Sequence, residues 1–330
     1  MASVFCSAAC SWLLLSFLIP FLRLGLLDQP NPRSSHRQPT PRGGGIAFVV
    51  VTSVSSAIAL LSGQSLSAIA LPLFVFPLAF VGLFDDRYNL PALWRYGAQL
   101  FTAGFVLGLS PLVKGFLPAV VSGNWFLLVF LALLVIAFTA VINFTNFMDG
   151  LDGLVGGSMV VAIAGLFFAF NAPWSLWTLV GSLLGFLFWN WSPAKVFMGD
   201  VGSVPLGYLI GWLLISVVSP NNSFGIELLT IVLLPAYYYA DATITIIRRF
   251  LCKKNIFQAH REHFYQFAVD RGLSHGQVCG AIILANSILF GAVLLCVEFN
   301  IAVSITIGLT VVTLLLFWMR GVFSKKSLTK

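Results

Sequence analysis

The sequence predicts an all-α polytopic membrane protein forming a single domain over residues 1–330, and three observations predict it. Of its 330 residues 59% are hydrophobic and only 9% are charged, against about 25% charged in soluble globular chains. The mean hydropathy is +0.97. The apolar residues fall into runs close to the roughly 20 residues that cross a bilayer. The basic residues sort to alternate connections between those runs. No internal repeat is visible, and no stretch reads as a soluble domain.

Run length, rather than periodicity, marks the elements, because a helix surrounded by lipid and other helices is apolar all round. About eleven spans result: 3–25, 44–62, 67–84, 96–113, 124–142, 155–171, 174–191, 204–219, 226–247, 277–298 and 301–319. The first is a span rather than a cleaved signal, since no basic residue precedes it and Arg23 follows it. The second and third flank a short connection, and the third ends in FDDRYN (84–89). Arg95 opens the fourth. The fifth runs into NFTNFMDGLDG (143–153). The sixth and seventh are joined closely and lead to NWSPAKVFMGDVGS (190–203). The ninth carries Asp241, the acid placed well inside a span, and the longest polar connection, about 248–275, follows it.

Placing the connection 26–43 on the cytoplasmic side and alternating from there puts all 18 Lys and Arg except Lys114 on that side. The positive-inside rule therefore sets the N-terminus outside and the C-terminus in the cytoplasm. The formal net charge of +7 reflects topology, and its spread over several loops argues against nucleic acid as a partner. Five cysteines without a CxxC pair give no disulfide or zinc framework.

Nine of the 11 acids fall at the cytoplasmic side, all but Glu227 and Glu298. Many of them sit in tight groups. Asp85 and Asp86 are adjacent, and neighbouring carboxylates raise one another's pKa unless a cation lies between them. Asp200 is flanked by Gly199 and Gly202, which let backbone approach a ligand closely. Asn143, Asn146, Asp149 and Asp152 recur at every third position. In a helix, or in a tighter 3₁₀ turn, they share one side. Amide and carboxylate oxygens are hard donors suited to magnesium. The connection 248–271 adds Arg248, Arg249, Lys253, Lys254, His260, Arg261, His263 and Arg271. Such a loop can face phospholipid headgroups or hold a diphosphate. Acids that hold magnesium beside Arg and His suit phosphoryl transfer, and a site at the membrane surface points to a lipid substrate. The alternative is a transporter with a charged cytoplasmic surface. Transporters, however, place such groups near the bilayer midplane.

The blocks DQPNPRSSHRQPTPRGGGIAF (28–48), GLFDDRYNLP, NFTNFMDGLDGL, NWSPAKVFMGDVGSVPLG, LPAYYYADATITIIRR and HREHFYQ, in this order, resemble the polyprenyl-phosphate N-acetylhexosamine-1-phosphate transferase family. The resemblance implies transfer of a sugar 1-phosphate from a UDP-N-acetylhexosamine to undecaprenyl phosphate, releasing UMP and starting a lipid-linked glycan. It implies a multi-pass enzyme of the inner (plasma) membrane, in contact with membrane lipids, with its active site facing the cytoplasm; a homodimer is allowed for. It implies Mg2+ as cofactor, with Mn2+ as the alternative ion. Asp85, Asp86 and Asp200 are then the catalytic acids, with Asp200 and Asn146 as metal ligands. Arg42 and Arg95 take phosphate positions, and Asn89 completes the acidic motif. Phe197 matches the aromatic that stacks on uracil, and Asp152 lies where uracil is hydrogen-bonded. Asp149, Asn190, Arg261 and His263 are further substrate-binding positions. Many relatives carry HxHH where this chain has His263-Phe264-Tyr265-Gln266. That form resembles the O-antigen- and capsule-initiating branch, often with a 6-deoxy donor such as FucNAc or QuiNAc, GlcNAc remaining the alternative.

Overall fold

A computed structural model of the chain describes residues 1–30, 36, 38–64, 75–110, 113–114, 123–169, 171–217, 229, 232–256, 258, 260–298 and 301–321. Parts of the expected spans 67–84 and 226–247, together with Glu227 and the basic C-terminal residues, lie outside the described residues. Within them the chain forms twelve helices. In order they are α1 (Ala2–Gly25), α2 (Ile46–Leu61), α3 (Phe76–Tyr88), α4 (Ala92–Leu109), α5 (Trp125–Phe147) and α6 (Leu154–Ala169). Then come α7 (Trp174–Asn190), α8 (Asp200–Val217), α9 (Ala236–Leu251), α10 (Phe264–Asp270), α11 (His275–Glu298) and α12 (Ile301–Arg320). By length and composition α1, α5, α12 and, over His275–Leu294, α11 can each cross a membrane. The stretches Ile46–Leu61 and Leu154–Phe168 are shorter apolar helices.

Helix starts follow local chemistry. Pro91, Pro173 and Pro235 stand immediately before α4, α7 and α9, where a missing backbone N–H leaves no partner unsatisfied. The all-α expectation meets one small exception. Two two-residue strands, β1 (Leu27–Asp28) and β2 (Thr40–Pro41), pair antiparallel, with Leu27 opposite Pro41 and Asp28 opposite Thr40. This ladder ties down the first polar connection beside the end of α1.

The packing is of the membrane kind, with small residues letting backbones approach. Gly181 and Gly185 of α7 lie against backbone carbonyls of Val4 and Ala8 on α1. Gly82 of α3 abuts the Asp200 carbonyl at the start of α8, and Gly207 of α8 sits against Ile142 of α5. In each case a Cβ would occupy space that the neighbour already fills. These contacts gather the C-terminal ends of α3 and α5 and the N-terminal end of α8 at one place. Among the largest fully buried side chains are Tyr208, Tyr237, Tyr238 and Tyr265.

Several boundaries depart from the sequence reading, and the shifts matter. The third helix continues past residue 84 to Tyr88, so Asp85 and Asp86 are helical. The helix containing Arg95 begins at Ala92, and α8 begins at Asp200 itself. The every-third series is not one helical face: α5 ends at Phe147, and Asp149 and Asp152 fall in the turns that follow. The basic connection contains a short helix, α10, that the sequence reading did not include.

Candidate active site

The site is built on the end of α3. Asn89 adopts a left-handed backbone (φ 49°) and closes that helix. A carboxylate near a helix C-terminus opposes the helix dipole, so Asp85 needs donors. It has two: the Leu90 N–H at 2.7 Å and Arg95 Nη1 at 3.2 Å. Asp86 points to the other side. Its oxygens accept the backbone N–H groups of Asp200 (3.0 Å) and Val201 (3.1 Å), which are unpaired donors of the first turn of α8. Asp86 thus caps α8 from a different helix. Burial, with the nearby Asp85 charge adding to it, pushes its carboxyl up to about 6 against the pull of those N–H groups and Arg42.

Asp200 follows Gly199, whose φ of 72° makes the turn into α8. Burial first, and then the charges of Asp86 and Asp85, hold its carboxyl well above the usual range, with Arg95 opposing. Arg95 Nη1 lies 4.0 Å from Asp200 Oδ2. Asn146, on the last turn of α5, accepts a 2.6 Å hydrogen bond from Ser203 of α8. Asp85, Arg95, Asn146, Asp200 and His263 all line one cavity of about 290 Å3. Gln99 and Asn143 also line it, tied by a 2.7 Å hydrogen bond from Asn143 Nδ2 to Gln99 Oε1.

His263 reaches the cavity from the basic connection. It stands at the N-cap of α10, where Gln266 Oε1 accepts the His263 N–H at 3.1 Å and the Gln266 N–H donates to the His263 carbonyl. Tyr265 donates its hydroxyl to the Phe147 carbonyl at 2.9 Å and fills the space beside Gly150. Tyr265 and Gln266 thereby tie the loop down. His260 also lines the cavity, with its ring 4.9 Å from that of His263. Burial first, then the neighbouring His263 and Arg249, push it down to about 4.

A second group surrounds the DGLDG turn. Asp149 is half-buried and pushed up to about 7, by desolvation first and then by the charge of Asp86, with Arg42 and the Gly199 N–H opposing. Asp152 Oδ2 accepts the Ala194 N–H (3.2 Å) and pairs with His275 Nδ1 (3.2 Å). Burial alone would raise its carboxyl, but His275, Ala194 and Ser192 outweigh it and hold it below the usual range. Phe197 donates its N–H to the Pro41 carbonyl (2.8 Å), and its ring meets His36 edge-on at 4.8 Å. Arg42 pairs with Asp28 at 2.8 Å.

Eight of the expected residues do not line the cavity: Arg42, Asp86, Asp149, Asp152 and Phe197, placed above, and Asn89, Asn190 and Arg261. Asn190 spends its amide on backbone, accepting from Gly153 N–H (3.0 Å) and donating to the Val196 carbonyl (2.9 Å). Asn89 serves as the end of α3. Arg261 pairs with Asp270 at 2.8 Å. Sequence reasoning missed Gln99, Tyr96 and Gln258 in the cavity lining, and His275 behind Asp152. Gln99 had a signal, standing one helical turn after Arg95. Among the described residues no three His, Cys, Asp or Glu form a closed metal cage. The oxygen-rich set Asp200, Asn146 and Asp85 does fit magnesium, which takes one or two carboxylates and completes its shell with water and substrate phosphate.

Residues 68–218 match the model of glycosyl transferase family 4. The chain is 32% identical over 265 residues to the probable undecaprenyl-phosphate N-acetylglucosaminyl 1-phosphate transferase of Bacillus subtilis (strain 168), covering 77% of this chain and 72% of that one. It is 30% identical over 312 residues to the decaprenyl-phosphate N-acetylglucosaminephosphotransferase of Mycolicibacterium smegmatis, covering 82% and 75%. A shorter stretch of 86 residues is 50% identical to the phospho-N-acetylmuramoyl-pentapeptide-transferase of Chlamydia muridarum, covering 23% of this chain and 26% of the relative. With its apolar helices and relatives of this kind, the chain is a multi-pass membrane protein.

Proposed function

The chain belongs to glycosyl transferase family 4, and from that premise we propose that it transfers an N-acetylhexosamine 1-phosphate from a UDP-sugar to a polyprenyl phosphate. The single observation that carries this reading is the convergence of Asp85, Arg95, Asn146, Asp200 and His263 on one cavity. An oxygen of the lipid phosphate attacks the β-phosphorus of the donor. The new P–O bond forms as the bond to the α-phosphate oxygen breaks, and UMP leaves. At neutral pH a phosphate monoester is already mostly ionised, with a second pKa of about 6, so the attacking oxygen needs positioning more than deprotonation.

Asp200 with Asn146 would hold magnesium, which would supply charge neutralisation at the diphosphate. Arg95, already oriented by Asp85, holds a phosphate oxygen. In this reading Phe197 takes the uracil ring by flat contact and Asp152 takes it by hydrogen bonding. Asp86 acts through α8, keeping Asp200 in place. The eleven-span topology, with this site at the cytoplasmic face of the inner membrane, follows from the distribution of basic residues and belongs to the same proposal.

The test is UMP release by purified protein with undecaprenyl phosphate, magnesium and a panel of UDP-N-acetylhexosamines that includes UDP-GlcNAc and the 6-deoxy sugars FucNAc and QuiNAc. Release that needs lipid and magnesium, and is lost in Asp200→Asn, supports the reading and ranks the donors. Turnover that is unchanged in Asp200→Asn overturns it.

A further inference from the structure

Asp241 is the one acid that the sequence places deep in a span, and nothing in the transfer reaction yet uses it. The cost of a carboxylate there is high unless its oxygens are filled. They are filled. Asp241 is fully buried and accepts from the Tyr237 hydroxyl (2.9 Å), the Thr245 hydroxyl (3.3 Å) and the Phe264 N–H (3.0 Å to the nearer oxygen). The fourth partner is His263 Nδ1, 2.8 Å from Oδ1. With three donors already aimed at its oxygens, the carboxylate acts as the acceptor here, which puts the proton of this hydrogen bond on Nδ1.

The imidazole is held on its other sides as well. The Tyr265 ring lies nearly parallel to it, 10° between planes and 5.8 Å between centres. The rings of His260 and Phe147 stand at 4.9 and 6.0 Å. The Gln266 side chain fixes the backbone of His263. With Nδ1 committed, Nε2 is the nitrogen left for the cavity that His263 lines with Arg95, Asp85 and Asp200. A neutral ring offers an acceptor there, and a protonated ring offers a charged donor to phosphate.

We propose that Asp241 is a positioning residue for the transfer reaction, setting the tautomer and orientation of His263 so that Nε2 is presented to the phosphates in the cavity. The role of the cavity rests on the function proposed above; the Asp241–His263 arrangement does not. Loss of an outer carboxylate that orients a metal-ligating imidazole costs about 10- to 100-fold in affinity or activity, and an effect of that order is expected for this imidazole.

The test uses the full-length protein labelled with 15N-histidine. It has four histidines, and the His263 signals are those lost in His263→Asn. The expected spectrum of the wild type shows a protonated Nδ1 on His263. A bare Nδ1 overturns the proposal, and this needs no variant that must fold. In Asp241→Asn, whose amide can also donate to Nδ1, the fixed Nδ1–H state should be lost. UMP release should then fall about 10- to 100-fold in kcat, with the donor KM within about threefold. Thr245→Ala removes a different donor from the same carboxylate and should leave the tautomer in place, separating orientation from general loosening of α10. An unchanged tautomer with unchanged kcat in Asp241→Asn refutes the role. If no donor supports turnover in the wild type, the transfer reading fails while the tautomer measurement still decides the positioning claim.

Discussion

Asn190 belongs to a motif that points to substrate binding, yet the structure gives its side chain a different task, and the two can be told apart. Its amide is 4% exposed and bridges the DGLDG turn to the loop before α8, through Gly153 N–H and the Val196 carbonyl. Replacing it with alanine removes two hydrogen bonds and leaves a buried donor and a buried acceptor unpaired. At about 1–3 kcal/mol for each stranded group, Asn190→Ala should cost about 2–6 kcal/mol. For a chain of this size roughly 2 °C accompanies each kcal/mol, so Tm should fall by about 4–12 °C. Asn190→Asp sharpens the test. The isosteric side chain keeps an acceptor for Gly153 N–H but, when ionised, sets a carboxylate against the Val196 carbonyl. Protonation restores a donor at that position. Its Tm deficit should therefore be large at pH 8 and smaller at pH 5. The assay is thermal unfolding of detergent-purified protein, with the donor KM from UMP release measured alongside. An unchanged Tm with a raised donor KM in Asn190→Ala would refute the structural assignment and restore Asn190 to the substrate.

Burial lifts Asp149 to about 7, so between about pH 4 and 7 the folded chain holds a proton that the unfolded chain has released. Stability should fall as pH rises through that window and flatten above it, by up to about 1.4 kcal/mol per pH unit. Asp149→Asn should gain on the wild type in Tm from pH 5 to pH 8, and parallel curves would contradict this. Gly82→Ala forces a Cβ onto the Asp200 carbonyl and should cost about 1–3 kcal/mol with loss of UMP release. Gly97→Ala, whose Cβ meets open space, should stay within about 1 kcal/mol of wild type, and equal effects at the two sites would show that the α3–α8 contact is misjudged. Magnesium should raise Tm more at pH 8 than at pH 6, because protons compete with it for the raised carboxyls; an equal rise, or the same rise from sodium chloride at matched ionic strength, would count against a specific site.

The helical frame was legible because a bilayer leaves a chain few options. An apolar run long enough to cross must be helical, since unpaired backbone groups have no partner in hydrocarbon. The acidic motifs were legible as groups because they stand out in a chain with 9% charge. Helix ends were less so. Hydropathy marks where the apolar run stops, whereas α3 continues through Asp85 and Asp86 to the left-handed Asn89. What could not be read was which group meets which across helices. Asp86 and Asp200 look equivalent in sequence, each an acid beside a span. Yet one faces the cavity and the other is tied to the N–H groups of α8. Neither spacing nor composition encodes the 114-residue separation of that contact. Nor does either encode the 22-residue step from Asp241 to His263. The seven residues of α10 are too few for periodicity to reveal.

The charge balance around the cavity explains why acids, rather than lysines, are the proposed basis of a phosphate site. Asp85, Asp86, Asp149 and Asp200 crowd one end of the bundle. Facing them are Arg95 and an Arg42 already paired with Asp28. His260 is pushed down to about 4, so at neutral pH it adds no positive charge. Burial raises the carboxyls of Asp86, Asp149 and Asp200, which is the response of negative groups short of a counter-charge. A donor diphosphate and an acceptor phosphate entering such a cavity bring more negative charge still, at a low local dielectric that strengthens the repulsion. Protonating the acids would relieve it but would also remove the acceptors that orient Arg95 and cap α8. A divalent cation held by these carboxylates would relieve it without that loss, since it would supply two positive charges. On this argument the acids would suit the proposed substrate through a metal bound among them, and the basic loop residues would need only to orient it.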